Sequence, residues 1–280
     1  MKYVHFLITK FNLPRLWVTD KNGRSTQSEA WLEQRVALFK KFCLPSIVAQ
    51  TRKDFIWLLL FYDKTPVKYK KFNDELAAKY PFYKPCYLNE NESKDLIPYL
   101  NKVIKKMVAG DEIIITTRFD NDDSLAVDAM EELESFVEEE GGSEPYFISF
   151  PKGIQYYPKY NISMVLELEE NHFLTYVEPF SERLKTAYCC NHMKVKEHHT
   201  LKLAGKDKEM WMEICHERNV SNDIHHFRWA INPLKHGYES DRFGLTPSPL
   251  FRYNHLKFRL FVVLARLAKI RRRAKERLSL

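Results

Sequence analysis

The sequence predicts an α/β fold in which a mostly parallel central sheet is covered by helices on both faces. Segments with strand character and segments with helical periodicity alternate over the first 150 of the 280 residues, an order that is typical of parallel sheets. The strand segments are apolar on both faces, as strands between two helical layers must be. A chain of this length can also bury a large core.

Each element follows from a local signal. Short, β-prone apolar runs indicate strands, and longer runs with apolar residues three and four apart indicate helices. The segment 112–119 is the clearest strand, because Ile113 to Thr117 are all β-branched. In chain order we predict strands at 3–9, 55–62, 86–88, 112–119 and 146–150, and helices at 28–50 (broken near Pro45), 68–80, 93–108 and 125–140.

After residue 150 the pattern is less regular. Residues 153–157 and 163–168 resemble the two strands of a hairpin, and residues 209–217 have helical periodicity. No change in composition marks a second domain. We therefore predict one domain over residues 1–250, followed by a basic amphipathic helix at 251–280.

The net charge of +7 is concentrated at the C-terminus. Residues 252–280 contain ten Lys and Arg and one acidic residue, whereas the rest of the chain has a net charge of −2. Apolar residues recur there at helical spacing from Leu256 to Ile270. The pattern is typical of a helix that lies on an anionic membrane, with 254–280 as the contact. It is also compatible with a helix that packs on the domain or on a second subunit. A nucleic-acid arm is a third interpretation, which the near-neutral remainder of the chain does not favour.

Cysteine usage and the N-terminus favour the cytoplasm. The five cysteines have neither a CxxC pair nor zinc-type spacing. The apolar stretch at 3–8 is too short for a signal peptide, and no window reaches the roughly 18 apolar residues that a membrane span needs. We expect a cytoplasmic protein. The alternative is a cytoplasmic protein attached peripherally to the inner face of the membrane.

Polar residues follow several of the predicted strands. Ligands of open α/β sheets bind beyond the carboxyl ends of the strands, where Thr9, Lys10, Asp63 and the segment 118–123 are expected. The spacing of Asp120 and Asp122 suits Mg²⁺ or Mn²⁺, which prefer carboxylate oxygens. Capping of the following helix explains part of this cluster, but three Asp in four residues are more than a cap requires.

The acidic motif leaves other activities open. A haloacid-dehalogenase phosphatase also has Asp-x-Asp after an apolar strand, but that family expects it on the first strand and has Thr or Val where Ser124 stands here. A metal-dependent phosphatase or nucleotidyltransferase is therefore the alternative enzyme. Outside enzymes, the alternative is a non-catalytic protein that binds a membrane surface or nucleic acid.

Several short motifs favour one of these protein classes. In chain order these are Thr9–Asn12, Trp31–Arg35, Leu44–Ser46, Ala49–Thr51, Phe55–Trp57, Asp63–Pro66, Thr117–Asp123 and Trp211–Asn219. Over about residues 3–250 the chain is similar to the putative rhamnosyltransferase family, whose members resemble GT-A nucleotide-sugar glycosyltransferases. The resemblance implies a GT-A-like fold, a nucleotide-sugar donor, a glycan or lipid-linked glycan acceptor, and Mn²⁺ or Mg²⁺. The family name suggests rhamnose, although no residue here identifies the sugar.

The resemblance also implies roles for single residues. Asp120 would contact the ribose or the sugar, and Asp122 would bind the metal that bridges the diphosphate. Lys10 stands where Arg is more usual, so it keeps the charge but lacks the bidentate fork. The residues expected to bind the donor are Thr9, Lys10, Asp63, Arg118 and Asp120.

Two later residues complete the expected site. GT-A enzymes often use a late histidine as a metal ligand, and His216 fits by its place in the segment 211–219. The competing histidines are His192, His198, His199, His225 and His226. In inverting enzymes a carboxylate near a helix start deprotonates the acceptor, which makes Asp207 the candidate base. Glu209 is the alternative, and Asp207 also fits a simple helix N-terminal charge.

Overall fold

The computed structural model of this protein describes residues 2–14, 18–20, 23, 25–158, 162–216, 240–246, 260, 263–264, 267 and 270–271. It confirms the α/β class, with a seven-stranded, mostly parallel sheet between two helical layers. Most of the predicted helix at 251–280 lies outside the described residues, as do His225 and His226.

The central sheet contains seven of the eleven strands found among the described residues. They are β1 (Tyr3–Lys10), β2 (Phe55–Tyr62), β3 (Tyr83–Leu88), β4 (Ile113–Asp120), β6 (Tyr146–Ser149), β9 (Thr175–Pro179) and β10 (Leu201–Leu203). Their spatial order is β10-β6-β9-β4-β1-β2-β3. All neighbours are parallel except β9, which runs antiparallel to both β4 and β6. The five strands predicted in the first 150 residues are therefore confirmed, as β1, β2, β3, β4 and β6. Strands β1 and β4 lie near the centre of the sheet.

A second, smaller sheet has the order β5-β11-β7-β8. Its strands are β5 (Ser124–Leu125), β7 (Lys152–Tyr157), β8 (Ile162–Glu167) and β11 (Trp211–Ile214). The predicted hairpin is confirmed, because β7 and β8 are antiparallel neighbours. The predicted helix at 209–217 is wrong. Residues of β11 pair with β5 on one side and β7 on the other, so this backbone forms ladder hydrogen bonds instead of helical ones.

The helices are α1 (Glu29–Leu38), α2 (Leu44–Val48), α3 (Val67–Lys79), α4 (Glu90–Lys94), α5 (Leu96–Ile104), α6 (Ala129–Glu140) and α7 (Val195–His198). A π-helical turn at Phe39–Cys43 joins α1 to α2. Pro45 therefore lies in the first turn of α2, where its missing N–H costs no hydrogen bond. Short 3₁₀ turns cover His192–Lys194 and Ser240–Phe243. None of the described helices is long and apolar enough to cross a membrane.

Successive residues of β1 point into different cores. Leu7 lies in a large core together with apolar residues of α1, α3 and α6. Phe6 and Ile8 lie in a second core with Leu100 and Ile104 of α5. This alternation is the period of two that strands impose. The parallel pairing of β1 with β2 and β4 places the carboxyl ends of these three strands at one edge of the sheet.

Candidate active site

The ends of β1 and β4 bring basic and acidic side chains together. Lys10 and Asp120 are partners in the parallel register of the two strands. The Lys10 ammonium lies 5.2 Å and the Arg118 guanidinium 5.0 Å from the centre of the Tyr188 ring, so both cations are on one face of the sheet. Burial lowers the pKa of Lys10 to about 8, although the charge of Asp120 favours the ammonium form. The predicted donor residues Lys10, Arg118 and Asp120 thus share one site.

Asn121 fixes the acidic turn to the end of β1. Its side-chain amide donates hydrogen bonds to the carbonyl oxygens of Lys10 (2.8 Å) and Phe11 (3.1 Å). Its own oxygen accepts a hydrogen bond from Arg35 at 3.2 Å. The turn is therefore held from both neighbouring elements, and the carboxylates that flank Asn121 have fixed positions.

Asp122 is buried between two basic side chains. The Arg35 guanidinium forms an ion pair with its Oδ2, and Nε2 of His216 lies 2.8 Å from the same oxygen. Burial alone would raise the pKa of Asp122, but Arg35 and His216 outweigh it and lower the pKa to about 2. The two residues predicted as metal ligands, Asp122 and His216, are thus in direct contact, and Asp122 is ionised.

Asp123 has a different environment. The backbone N–H of Ile214 donates to its Oδ1 at 2.8 Å, and Nε2 of His172 lies 3.3 Å from its Oδ2. Burial raises the pKa of Asp123, and the nearby charges of Asp122 and Asp120 raise it further. Such crowding of carboxylates in a buried site favours the entry of a cation.

A possible ligand set for a metal ion follows from these positions. One ligand atom each from Asp120, Asp123 and His172 lie within 4.8 Å of one another. Two carboxylates and one imidazole suit Mn²⁺ or Mg²⁺ in oxygen-rich coordination. His172 was not among the histidines that the sequence suggested, since it lies in the connection between β8 and β9 without any local motif.

Glu213 is a further buried carboxyl group in this region. It lies on β11, and its Oε2 accepts a hydrogen bond from the Gln155 side chain at 2.8 Å. Burial raises the pKa of Glu213 to about 7, against the charge of His172, and Asp123 adds to the rise. Sequence reasoning missed Glu213 because it assigned this segment to a helix, in which position 213 carried no special meaning.

The remaining predicted residues have different surroundings. Thr9 is fully buried, and its hydroxyl accepts a hydrogen bond from Nε1 of Trp57 at 2.9 Å. Asp63 follows β2 as expected; its buried Oδ1 has no hydrogen-bond partner among the described residues. Asp207 lies in an exposed turn between β10 and β11. Because β11 is a strand, the helix start that suggested Asp207 as a base does not exist.

The chain is similar to a known sequence family and to several solved structures. The sequence model of the family described as "putative rhamnosyl transferase" matches residues 19–227. No curated protein matches the chain. Among solved structures, the chain is similar to TarS of S. aureus, with 10% identity, a TM-score of 0.38 and coverage of 77% of this chain. It spans only 37% of the TarS chain. It is also similar to a 4-diphosphocytidyl-2C-methyl-D-erythritol synthase, with 12% identity, a TM-score of 0.33 and coverage of 80% and 95% of the two chains.

Proposed function

This chain belongs to the putative rhamnosyl transferase family, and we propose that it transfers a sugar from a nucleotide-sugar donor to a hydroxyl group of a glycan acceptor with the help of a divalent metal ion. Rhamnose is the sugar that the family description suggests. The proposal concerns the domain at 1–250, and we expect it to have a GT-A-like arrangement.

The observation that carries the proposal is the meeting of cations and carboxylates at the carboxyl edge of the sheet. Lys10 and Arg118 offer positive charge on one face of β1 and β4, beside Asp120. A nucleoside diphosphate presents two kinds of group to such a site, namely anionic oxygens and ribose hydroxyls. The cations suit the former, and the carboxylate of Asp120 suits the latter as a hydrogen-bond acceptor.

The donor set at the acidic turn is compatible with a divalent metal ion. We propose Asp120, Asp123 and His172 as its ligands, because their ligand atoms already lie within 4.8 Å of one another. Asp122 and His216 are the alternative pair, and metal binding there would have to replace or share their 2.8 Å contact. A bound Mn²⁺ or Mg²⁺ would neutralise the charge that develops on the leaving diphosphate.

Glu213 is our candidate for the group that takes the proton of the acceptor hydroxyl. In that step the hydroxyl oxygen bonds to the anomeric carbon, the bond from that carbon to the diphosphate breaks, and the proton passes to the carboxylate. A pKa of about 7 suits this role, because a general base works best when its pKa is near the working pH. Asp207 is the alternative base.

The C-terminal segment supports a membrane-bound setting for this reaction. Leu260, Val263, Leu264, Leu267 and Ile270 are helical and are each about half exposed, and their spacing places them on one face. The surrounding sequence from 252 to 280 carries ten basic residues. We propose that this segment binds an anionic lipid surface, which would bring the enzyme to a lipid-linked acceptor.

Two vesicle experiments test the membrane proposal. The full chain should sediment with vesicles that contain phosphatidylglycerol and stay in solution with pure phosphatidylcholine, and Leu264→Asp should remove the binding. Equal binding of wild type and Leu264→Asp, or a dimer that the substitution dissociates in sedimentation velocity, would contradict it.

The donor site is tested by a thermal-shift screen of nucleoside diphosphates and nucleotide sugars, each with and without Mn²⁺. A ligand that binds only the folded protein raises its Tm. We expect a Mn²⁺-dependent increase with one nucleotide, and we expect Asp123→Asn to abolish it. Asp54→Asn is the matched control, since Asp54 is an exposed carboxylate that precedes β2. If no member of the panel shifts the Tm of the wild type, the proposal of a nucleotide-sugar donor fails.

A further inference from the structure

We propose that Cys189, Cys190 and His199 bind a zinc ion. Both sulfur atoms and one imidazole nitrogen lie within 4.8 Å of one another. Thiolates and imidazole are the preferred ligands of Zn²⁺, whose usual geometry is tetrahedral. The evidence for this site is separate from that for the proposed function, because none of the three residues belongs to the acidic turn; only its effect through Tyr188 rests on the proposed donor site.

The two cysteines lie on a turn that the protein holds in place. Thr186, at its start, has a φ of 60°, a left-handed conformation that non-glycine residues seldom adopt. Its backbone N–H donates to the Glu178 carboxylate at 2.8 Å, and the next N–H, of Ala187, donates to the Thr116 hydroxyl at 2.8 Å. The N–H of Cys189 closes the turn on the carbonyl of Thr186 at 3.1 Å. These contacts hold the backbone of the turn that leads to both cysteines.

His199 reaches the cysteines from a separate element. It directly follows α7, and its backbone N–H donates to the carbonyl of Val195 at 2.8 Å. Its ring packs edge-on against the rings of Phe147 and Tyr176. The distances between ring centres are 5.2 Å and 6.0 Å, respectively. The imidazole is therefore oriented by packing against these two rings.

Three protein ligands leave a fourth position for water or an exchangeable group. The three residues are all partly exposed, so an ion can enter and the fourth position can face solvent. Residue spacing alone does not indicate the site, because adjacent cysteines followed nine residues later by a histidine do not match the common zinc spacings.

The ion would act on the donor site through Tyr188, which lies on the same turn as the cysteines. The Tyr188 hydroxyl donates to the carbonyl of Ile8 at 3.2 Å, and its ring is the surface on which Lys10 and Arg118 lie. A metal that ties this turn to His199 would hold that surface in position. The ion would thus act by positioning the Tyr188 ring, and none of its ligands has a role in the chemistry.

The test is a Co²⁺ titration of the reduced full chain, followed by ultraviolet and visible absorption. We expect a near-ultraviolet charge-transfer band, which requires cobalt–sulfur bonds, together with visible bands of tetrahedral cobalt that Zn²⁺ removes. The bands should be lost in Cys189→Ser and in Cys190→Ser, and apparent Co²⁺ affinity should fall at least ~100-fold in His199→Gln. They should persist in Cys86→Ser, a cysteine elsewhere in the fold, and in Asp123→Asn, which alters the sulfur-free acidic site.

Three results would overturn the inference. The first is the absence of a cobalt–sulfur band in the wild type, and the second is an unchanged band in the Cys189→Ser variant. The third is a proteolytic peptide containing Cys189 and Cys190 that is two hydrogens lighter after preparation under reducing conditions, which would indicate a disulfide between the adjacent cysteines. If a cysteine variant does not fold, Tm measurements with Zn²⁺ decide the question in the Asp123→Asn background, which lacks a ligand of the acidic site: Zn²⁺ should raise the Tm of Asp123→Asn, and the added His199→Gln substitution should remove that increase.

Discussion

Arg35 of α1 and Asp122 of the turn after β4 form an ion pair in the interior of the protein, with side chains only 8% and 7% exposed. The pair joins the first helix of the fold to the acidic turn, and Arg35 also contacts Asn121 and lies 5.0 Å from the Trp31 ring. Through these contacts the position of Asp122 depends on a residue 87 positions earlier in the chain. The stability of the domain and the geometry of the site are therefore linked.

Removing Arg35 should destabilise the protein strongly. Arg35→Ala leaves a buried carboxylate without its main partner, and such losses cost about 3–5 kcal/mol; His216 remains in contact with Asp122, so we expect about 3 kcal/mol. Arg35→Lys keeps the charge and should lose less. Urea unfolding of both variants measures the difference. A loss below about 1 kcal/mol for Arg35→Ala would mean that the ion pair is not important for folding.

Replacement of Gly153 in β7 by any larger residue should destabilise the protein. A Cβ atom there would overlap the Trp211 indole, which is fully buried and donates a hydrogen bond to the carbonyl of Phe150 at 2.9 Å. Gly153→Ala should cost about 1–3 kcal/mol through overpacking. In the double variant with Trp211→Phe, the loss should be smaller than the sum of the two single losses. Strict additivity would contradict the close packing of these two residues.

Lys10 should make binding at the proposed donor site depend on pH. Because burial lowers its pKa to about 8, Lys10 loses its charge as the pH rises from 7 to 9, and nucleoside diphosphate binding should weaken by up to about tenfold per pH unit above 8. Lys10→Arg stays charged, so its binding should change much less. Calorimetric titrations at pH 7 and 9 with Mg²⁺ compare the two proteins. If nucleoside diphosphate binding weakens equally with pH in the wild type and in Lys10→Arg, Lys10 is not the source of the pH dependence.

Glu213 and Asp207 are rival candidates for the base, and their amide variants separate them. Glu213→Gln should lower kcat by about 10²–10⁴-fold, the usual contribution of a general base, with little effect on donor binding. Asp207→Asn should retain nearly full activity, since Asp207 lies in an exposed turn. The wild-type rate should also rise with pH through about 7 as Glu213 ionises. A large loss of activity in Asp207→Asn together with near-normal activity in Glu213→Gln would instead support Asp207, the base expected from the sequence.

The strands whose carboxyl ends form the candidate site could be predicted from the sequence. Apolar runs and β-branched residues located β1, β2 and β4, and the parallel order followed from the helices between them. Lys10, Arg118 and Asp120 therefore came together as expected, because the register of parallel strands aligns their ends. These are properties of local pattern and of connectivity, which a sequence contains.

The parts that could not be predicted depend on long-range packing. In β11, Trp211 and Ile214 are three residues apart, which fits a helix as well as a buried strand, and pairing with β5 and β7 decides between them. His172 reaches Asp123 from a connection without a motif. Arg35 would ordinarily be expected on the solvent face of its helix, and it is buried because Asp122 offers it a partner.

We propose that donor cleavage requires a metal ion at Asp120, Asp123 and His172. The most direct test is the release of nucleoside diphosphate from the nucleotide sugar that the thermal-shift screen identifies, measured with Mn²⁺ and with a chelator. We predict that the wild type and Asp54→Asn release the diphosphate only with Mn²⁺, and that Asp123→Asn and His172→Gln lose at least ~100-fold in rate. Equal release by the wild type in the chelator, or by both ligand variants in Mn²⁺, would contradict the claim.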